Sequence, residues 1–156
     1  MASWLVDQVD QAAKLLWNGN ADVIQDLQDI ISRSKSQTAK YGTPALTIGK
    51  LLQGLPRGGG SGLSPFHCMR KLSTFRAVWG RFGPALDIDA KDNVEHKTLL
   101  QHVSRNIENG NDYVKFLLEC NAAPDSRDRY GWTPLHEAAR NGNVNALREV
   151  NLRCSI

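Results

Sequence analysis

The chain has 156 residues, and its 19 basic and 16 acidic residues give a net charge of +3. This length and a hydrophobic share of 41% are ordinary for one globular domain. No apolar run approaches the ~20 residues that cross a bilayer, which excludes a membrane-spanning helix. Asp7 and Asp10 argue against a secretory signal or a mitochondrial presequence, and three cysteines without framework spacing indicate a reducing compartment. We therefore expect an intracellular protein, cytoplasmic or nuclear.

Two amphipathic helices are predicted at the start of the chain. Apolar residues recur at helical spacing from Trp4 to Leu16 and again from Val23 to Ile31. Asn18-Gly19-Asn20 separates the two runs. We interpret residues 1–34 as a helical hairpin that caps the structure behind it, and an unrelated helical hairpin is the alternative.

A basic, glycine-rich segment follows at 35–61 and is predicted to be a linker. The stretch QGLPRGGGSG at 53–62 has the composition of a flexible chain, while 43–52 is compatible with a short helix. Residues 32–86 hold nine bases and no acid. Such a segment is either a surface for acidic protein, nucleic acid or anionic lipid, or a solvated, partly disordered insert.

The most informative segment is 128–143, DRYGWTPLHEAARNGN. Gly131 can adopt a positive φ, Thr133 can cap a helix, and Pro134 fits the first helical turn. The Asn-Gly-Asn that ends the segment favours a left-handed helix end at Gly142. We therefore predict a turn, a short helix and a second turn in direct succession.

The same order of residue types occurs twice upstream. Ser64 begins SPFHCM, and Thr98 begins TLLQ, in which Gln stands for His. These two residues and Thr133 are separated by 34 and 35 residues. Segments 83–92 and 110–128 supply matching exit turns, with Asn121 at a position that favours a left-handed conformation.

These units resemble ankyrin repeats, whose period is about 33 residues. The resemblance covers 62–69, 83–92 and 110–128 as well as 128–143. It implies an all-α fold, namely a short ankyrin-like solenoid of helical repeats with β-turn or hairpin connections, preceded by the N-terminal helical hairpin. Residues 62–156 would form about three repeats: repeat 1 to about residue 91, repeat 2 over 92–127 and repeat 3 from 128. The last repeat is expected to be incomplete, because no exit turn follows it.

The resemblance implies a protein–protein interaction module or adaptor, with another protein as partner, without catalysis and without a cofactor or metal. Ankyrin-like stacks bind through their turn tips and first helices. The corresponding positions are Arg129, Tyr130, Trp132, Arg140 and Asn141 in repeat 3, and Glu95, His96 and Lys97 in repeat 2. The residues that carry the repeat structure are Gly131, Thr133, Pro134, Leu135, His136 and Gly142. Trp132 has an alternative role, in which it packs on the neighbouring turn.

Two other functions remain open. One is binding of nucleic acid or an anionic surface through the acid-free segment 32–86. The other is a regulatory role as the truncated front of a larger enzyme or scaffold. A nucleotide-binding loop is disfavoured because Gly49-Lys50 is followed by Leu51 instead of Ser or Thr. A zinc site is disfavoured because the four His and three Cys show no paired spacing.

Overall fold

The computed structural model describes residues 3–19, 22–41, 47–54, 63–106 and 110–154. Over these ranges all regular structure is helical and no β-strand is present. The predicted all-α class is confirmed. The chain divides into two compact units, Met1–Asp87 and Ile88–Ile156. The boundary falls inside the predicted exit turn 83–92, so the N-terminal hairpin and most of repeat 1 share the first unit.

The first unit is built from four α-helices with two short 3-10 helices. The α-helices are α1 Ser3–Asn18, α2 Val23–Tyr41, α3 Ile48–Leu52 and α4 Leu72–Phe82, and the 3-10 helices are Pro65–Cys68 and Gly83–Ala85.

Helices α1 and α2 pack on each other as the hairpin predicted from the sequence. Gly19, with φ +64°, ends α1. The buried side chains recur every three or four residues and form one apolar face on each helix; they are Val9, Ala12, Ala13 and Leu16 on α1 and Val23, Leu27 and Ile30 on α2. Helix α2 continues to Tyr41, beyond the predicted end of the hairpin at residue 34. Its role as a cap stays a prediction.

The predicted linker contains ordered structure. Thr47 caps α3, because its hydroxyl oxygen accepts a hydrogen bond from Lys50 N at 3.2 Å, and Leu51 and Leu52 are buried. The Gln53 side chain exchanges two hydrogen bonds with the backbone of Asp87, at 2.6 and 2.9 Å. Residues 42–46 and 55–62, where the rest of this linker was predicted, lie outside the described residues.

Repeat 1 begins with one turn of 3-10 helix where the resemblance predicts an α-helix. Ser64 precedes this turn, Met69 ends it, and α4 starts at Leu72. Phe66 and Met69 are both buried, and the Phe66 ring lies edge-on to the Phe75 ring of α4 at 6.3 Å. Repeat 1 has no glycine between the 3-10 helix and α4. The chain turns there through the packing of buried side chains, including Phe66 and Met69.

The second unit consists of two helical pairs. They are α5 Leu99–Arg105 with α6 Gly110–Glu119, and α7 Pro134–Arg140 with α8 Val144–Cys154. Helix α5 packs on α7, and α6 packs on α8, so the pairs stack first helix on first helix and second on second. In repeat 2, the connection between α5 and α6 includes 107–109, which lie outside the described residues. The loops use left-handed positions where the sequence predicts them, at Asn121 (φ +65°), Gly131 (φ +82°) and Gly142 (φ +68°).

Candidate functional site

Each repeat of the second unit opens with a turn that is held by a buried aspartate. Asp92 N donates to Lys97 O and Asp128 N donates to Trp132 O, both at 2.9 Å. The Asp128 carboxylate accepts hydrogen bonds from Tyr130 N at 2.8 Å and Trp132 N at 2.9 Å. A carboxylate that satisfies several backbone N–H groups fixes the turn geometry, because each would otherwise be left unpaired. The turn of repeat 2 is one residue longer, and His96 takes a positive φ of 56° where repeat 3 has Gly131.

The two turns lie side by side. Arg129 N donates to Glu95 O at 2.9 Å, and Arg129 Nη1 donates to Val94 O at 2.7 Å. Gln101 Nε2 adds a third link by donating to Trp132 O at 2.7 Å. These bonds fix the spacing of the turns and bring their tips, Val94 and Tyr130, onto one surface.

One of the two tips carries an exposed aromatic side chain. Tyr130 is 65% exposed, and the Arg129 guanidinium lies 5.5 Å from the centre of its ring. Trp132 is half-buried, with the His136 ring 6.0 Å away on one side. The Arg140 guanidinium lies 5.2 Å from the Trp132 ring. We call this region the turn surface and define it by Val94, His96, Arg129, Tyr130, Trp132 and Arg140.

The remaining predicted contacts lie deeper. Asn141 is half-buried, and its side-chain amide donates to Glu137 O at 2.8 Å. Lys97 is buried, and its ammonium nitrogen lies 2.7 Å from Glu95 Oε2, 2.9 Å from Glu137 Oε1 and 3.9 Å from Asp128 Oδ2. Lys97 therefore does not belong to the turn surface, because its charge is already used by three carboxylates inside the unit. Glu95 remains half-exposed but is held by the same ion pair.

Lys97, Glu95, Glu137 and Asp128 form what we call the buried ion cluster. Burial alone would lower the pKa of Lys97, but hydrogen bonds to Glu95 and Glu137 outweigh it and raise the pKa above its ordinary value. The ammonium is therefore charged at neutral pH. This cluster was not predicted from the sequence, although Glu137 directly precedes Ala138, a buried apolar residue of α7, and a buried carboxylate needs a cation nearby.

A second pair that the sequence did not reveal joins Asp92 to His102 of α5, with His102 Nε2 2.8 Å from Asp92 Oδ2. Asp92 also accepts hydrogen bonds from the backbone N–H groups of Val94, Glu95 and Lys97 at 2.7–3.2 Å. Burial would raise the pKa of Asp92, but the His102 bond and these backbone donors outweigh it and hold the pKa far below its usual range. The turn of repeat 2 is thus tied to its first helix.

One polar pair recurs at the start of every repeat. Ser64 Oγ lies 2.8 Å from His67 Nδ1, Thr98 N donates to Gln101 Oε1 at 2.9 Å, and Thr133 N donates to His136 Nδ1 at 3.2 Å. The Gln101 side chain thus accepts a hydrogen bond from the N–H of the helix-capping residue, as His136 does. It also donates the hydrogen bond to Trp132 O described above. The three pairs support the repeat register that begins at Ser64, Thr98 and Thr133.

The described residues contain no group of three or more His, Cys, Asp or Glu side chains able to hold a metal ion. Cys68, Cys120 and Cys154 form no disulfide with one another; Cys68 is buried and Cys154 is exposed. Among the helices that the structure describes, none has the length and apolar character required to cross a membrane.

Comparison with protein families identifies the repeats. A model of ankyrin repeats in three copies matches residues 70–151, which is more than half of the chain. The match includes both turns of the second unit and omits 62–69, where the sequence resemblance is carried by fewer residues. Ankyrin repeats are a non-catalytic module that typically mediates protein–protein interaction. No curated protein matches the chain.

Proposed function

The chain belongs to the ankyrin-repeat family, and we propose that it binds a partner protein through the turn surface of its second unit. The main support for the proposal is the exposed ring of Tyr130. Its backbone N–H is bonded to Asp128, and the Arg129 guanidinium lies beside its ring. Tyr, Trp and Arg are the residue types most enriched among those that dominate binding free energy at protein interfaces. The turn surface contains all three types.

The rigidity of the turns also supports this function. The backbone of Tyr130 is fixed by Asp128, and Arg129 is bonded to the preceding turn. A surface that is ordered before binding loses less conformational entropy when a partner docks, so more of the contact energy appears as affinity.

The Tyr130→Ala variant is expected to weaken binding to the partner about thirtyfold or more, because truncation of a central aromatic typically costs at least ~2 kcal/mol. The partner would first be captured with the full chain, identified by mass spectrometry and purified, and its affinity would then be measured by titration. The helical circular dichroism of the variant should stay unchanged, since the Tyr130 side chain is mostly outside the core.

Leu152→Ala provides a matched control. Leu152 is 63% exposed, so it resembles Tyr130 in exposure but lies on α8, away from the turns in the chain. Equal affinities for wild type, Tyr130→Ala and Leu152→Ala would contradict binding at the turn surface.

A second candidate function is binding of a nucleic acid or anionic surface through segment 32–86. Every described base in this segment is exposed, which is the observation in its favour; these bases are Arg33, Lys35, Lys40, Lys50, Arg70, Lys71, Arg76 and Arg81. Trp17 of the same unit is also exposed, with the Arg70 guanidinium 4.3 Å from its ring. Arg57 lies outside the described residues.

For this candidate, the triple variant Arg33→Gln, Lys35→Gln, Lys50→Gln is expected to elute from heparin at lower salt than wild type. With a DNA duplex, the slope of log affinity against log salt should become shallower by ~0.9 for each phosphate that the variant no longer neutralises. The matched control is Lys115→Gln, Arg148→Gln, Arg153→Gln, which removes the same charge from exposed positions of the second unit. Equal retention of the two triple variants would rule out a specific role for the segment.

A further inference from the structure

The turn surface is surrounded by positive charge because most bases near the turns are exposed, whereas most acids near the turns are buried. Within 91–98 and 127–141, the bases other than Lys97 are all exposed; they are Lys91, Arg127, Arg129 and Arg140. The acids of the same segments are buried or paired inside the unit; they are Asp92, Glu95, Asp128 and Glu137. Asp125 is the exposed acid nearest to these segments in sequence.

Asp92, Asp128 and Glu137 are buried beside cationic or N–H groups of the unit, whereas Glu95 is half-exposed and paired with Lys97. Glu95 and Glu137 pair with Lys97, Asp92 pairs with His102, and the Asp128 carboxylate accepts two backbone N–H groups. Within 91–98 and 127–141, four bases are exposed, and the one carboxylate that reaches the surface is that of Glu95, which is paired with Lys97. The electrostatic potential that a partner meets at the turn surface is therefore set by these bases.

We infer that the turn surface recognises an acidic segment of the partner protein, an inference that rests on the proposed function. Two of its arginines, Arg129 and Arg140, are each held beside an aromatic ring. A guanidinium fork fixed in this way presents parallel N–H donors that match the two oxygens of a carboxylate. Val94 and the ring of Tyr130 supply apolar contact next to these donors. The surface therefore fits a peptide that alternates carboxylates with an apolar side chain.

The same features disfavour nucleic acid as the occupant. Single-stranded nucleic acid is bound by open aromatic faces on which bases stack. Here the Trp132 ring is half-buried, with His136 and Arg140 both beside it, and the Tyr130 ring has Arg129 next to it. A carboxylate needs guanidinium N–H groups, which lie in the plane of the fork, and no free aromatic face.

The test uses the full chain and a display library of random 16-residue peptides. Selected peptides are expected to be net negative. Synthetic fluorescent copies should bind about tenfold more weakly to the variant Arg129→Gln, Arg140→Gln, measured by anisotropy at constant ionic strength. Because Arg129 also bonds the preceding turn, Arg140→Gln alone and Arg129→Lys are measured as well. Arg140→Gln should weaken binding by itself, and Arg129→Lys should retain part of it. The variant Arg148→Gln, Arg153→Gln on α8 is the matched control and should bind normally.

The outcomes separate the inference from the proposed function. Neutral or basic peptides whose binding is abolished by Tyr130→Ala would overturn the acidic partner and leave the turn surface as a binding site. If no selected peptide binds more weakly to the Tyr130→Ala variant, both the acidic partner and the turn surface as a binding site are overturned. Tight binding of an oligouridylate probe that depends on Arg129 and Arg140, without any acidic peptide, would overturn the inference in favour of nucleic acid.

Discussion

The Lys97→Ala variant is expected to lower the free energy of unfolding of the second unit by about 3–5 kcal/mol, because it leaves a buried carboxylate without its cation. The side chain of Glu137 is only 2% exposed, and its Oε2 has no hydrogen-bond partner among the described residues. Its charge therefore depends on the single contact of 2.9 Å to Lys97. Without that contact, Glu137 must either take up a proton or draw water into the unit, and both are costly.

The double variant Lys97→Met, Glu137→Leu separates the effect of charge from that of packing. It removes the Lys97–Glu137 pair and fills the space with apolar groups of similar volume, so it should recover most of the stability that Lys97→Met loses. The remainder reflects Glu95 and Asp128, which lose the same cation. A Lys97→Met single variant should be nearly as unstable as Lys97→Ala, since it keeps the volume and leaves Glu137 unpaired.

Hydrogen exchange of peptides from α5 and α7 in the full chain measures these differences within the second unit, and urea unfolding gives the global value. A loss below ~1 kcal/mol for Lys97→Ala would contradict the prediction, because that is the range of an exposed ion pair.

The Asp92→Ala variant is expected to cost roughly 2–4 kcal/mol at neutral pH, since a hydrogen bond to a charged group contributes about 1.5–3 kcal/mol. Three backbone N–H groups and His102 lose their acceptor at once. The cost should fall on the turn of repeat 2 and on its attachment to α5. Because the Arg129 side chain is bonded to this turn, the turn surface should loosen as well.

The contribution of Asp92 also depends on pH in a defined direction. Its pKa in the folded chain is held far below the ordinary carboxyl value of about 3.9. A lowered pKa stabilises the fold fully above the unfolded-state value, and this stabilisation is lost as the pH falls from there towards the folded-state value. The stability difference between wild type and Asp92→Asn is therefore expected to shrink as the pH falls below about 4.

Thermal or urea unfolding of wild type and Asp92→Asn over a series of pH values gives the difference directly. Asp128→Asn is the matched control, because Asp128 fixes the equivalent turn of repeat 3 through backbone N–H groups. A difference between wild type and Asp92→Asn that does not change between pH 5 and pH 3 would show that Asp92 makes no favourable ionic contact in the folded chain.

Short-range rules explain why the turns and helix limits of repeat 3 were predictable. The positive φ of Gly131, the start of α7 at Pro134 and its end before Gly142 each depend on residues within a few positions. The 3-10 turn of repeat 1 was not predictable in this way. Its limits follow from the burial of Phe66 and Met69 and from the contact of Phe66 with Phe75 on a later helix.

The candidate site was predictable only in part. The sequence placed Tyr130 and Arg129 at an exposed turn, because the turn is defined by its own residues. The resemblance to ankyrin repeats also placed Lys97 among the partner contacts, but the structure buries it, as is usual for a lysine only when it is paired. The partner that makes its burial possible, Glu137, is distant in sequence and is brought near only when α7 packs on α5. Ion pairs between repeats are therefore the feature that periodicity alone leaves undetermined.

The anchoring of Arg129 has a consequence for the rate at which a partner binds. Its backbone N–H and its Nη1 are both bonded to the preceding turn, so the side chain is already ordered in the free protein. Association at such a surface needs no slow rearrangement of a loop, and its rate is set by diffusion and orientation, assisted by the surrounding positive charge. Differences in affinity among related partners should then appear mainly as differences in how long the complex lasts.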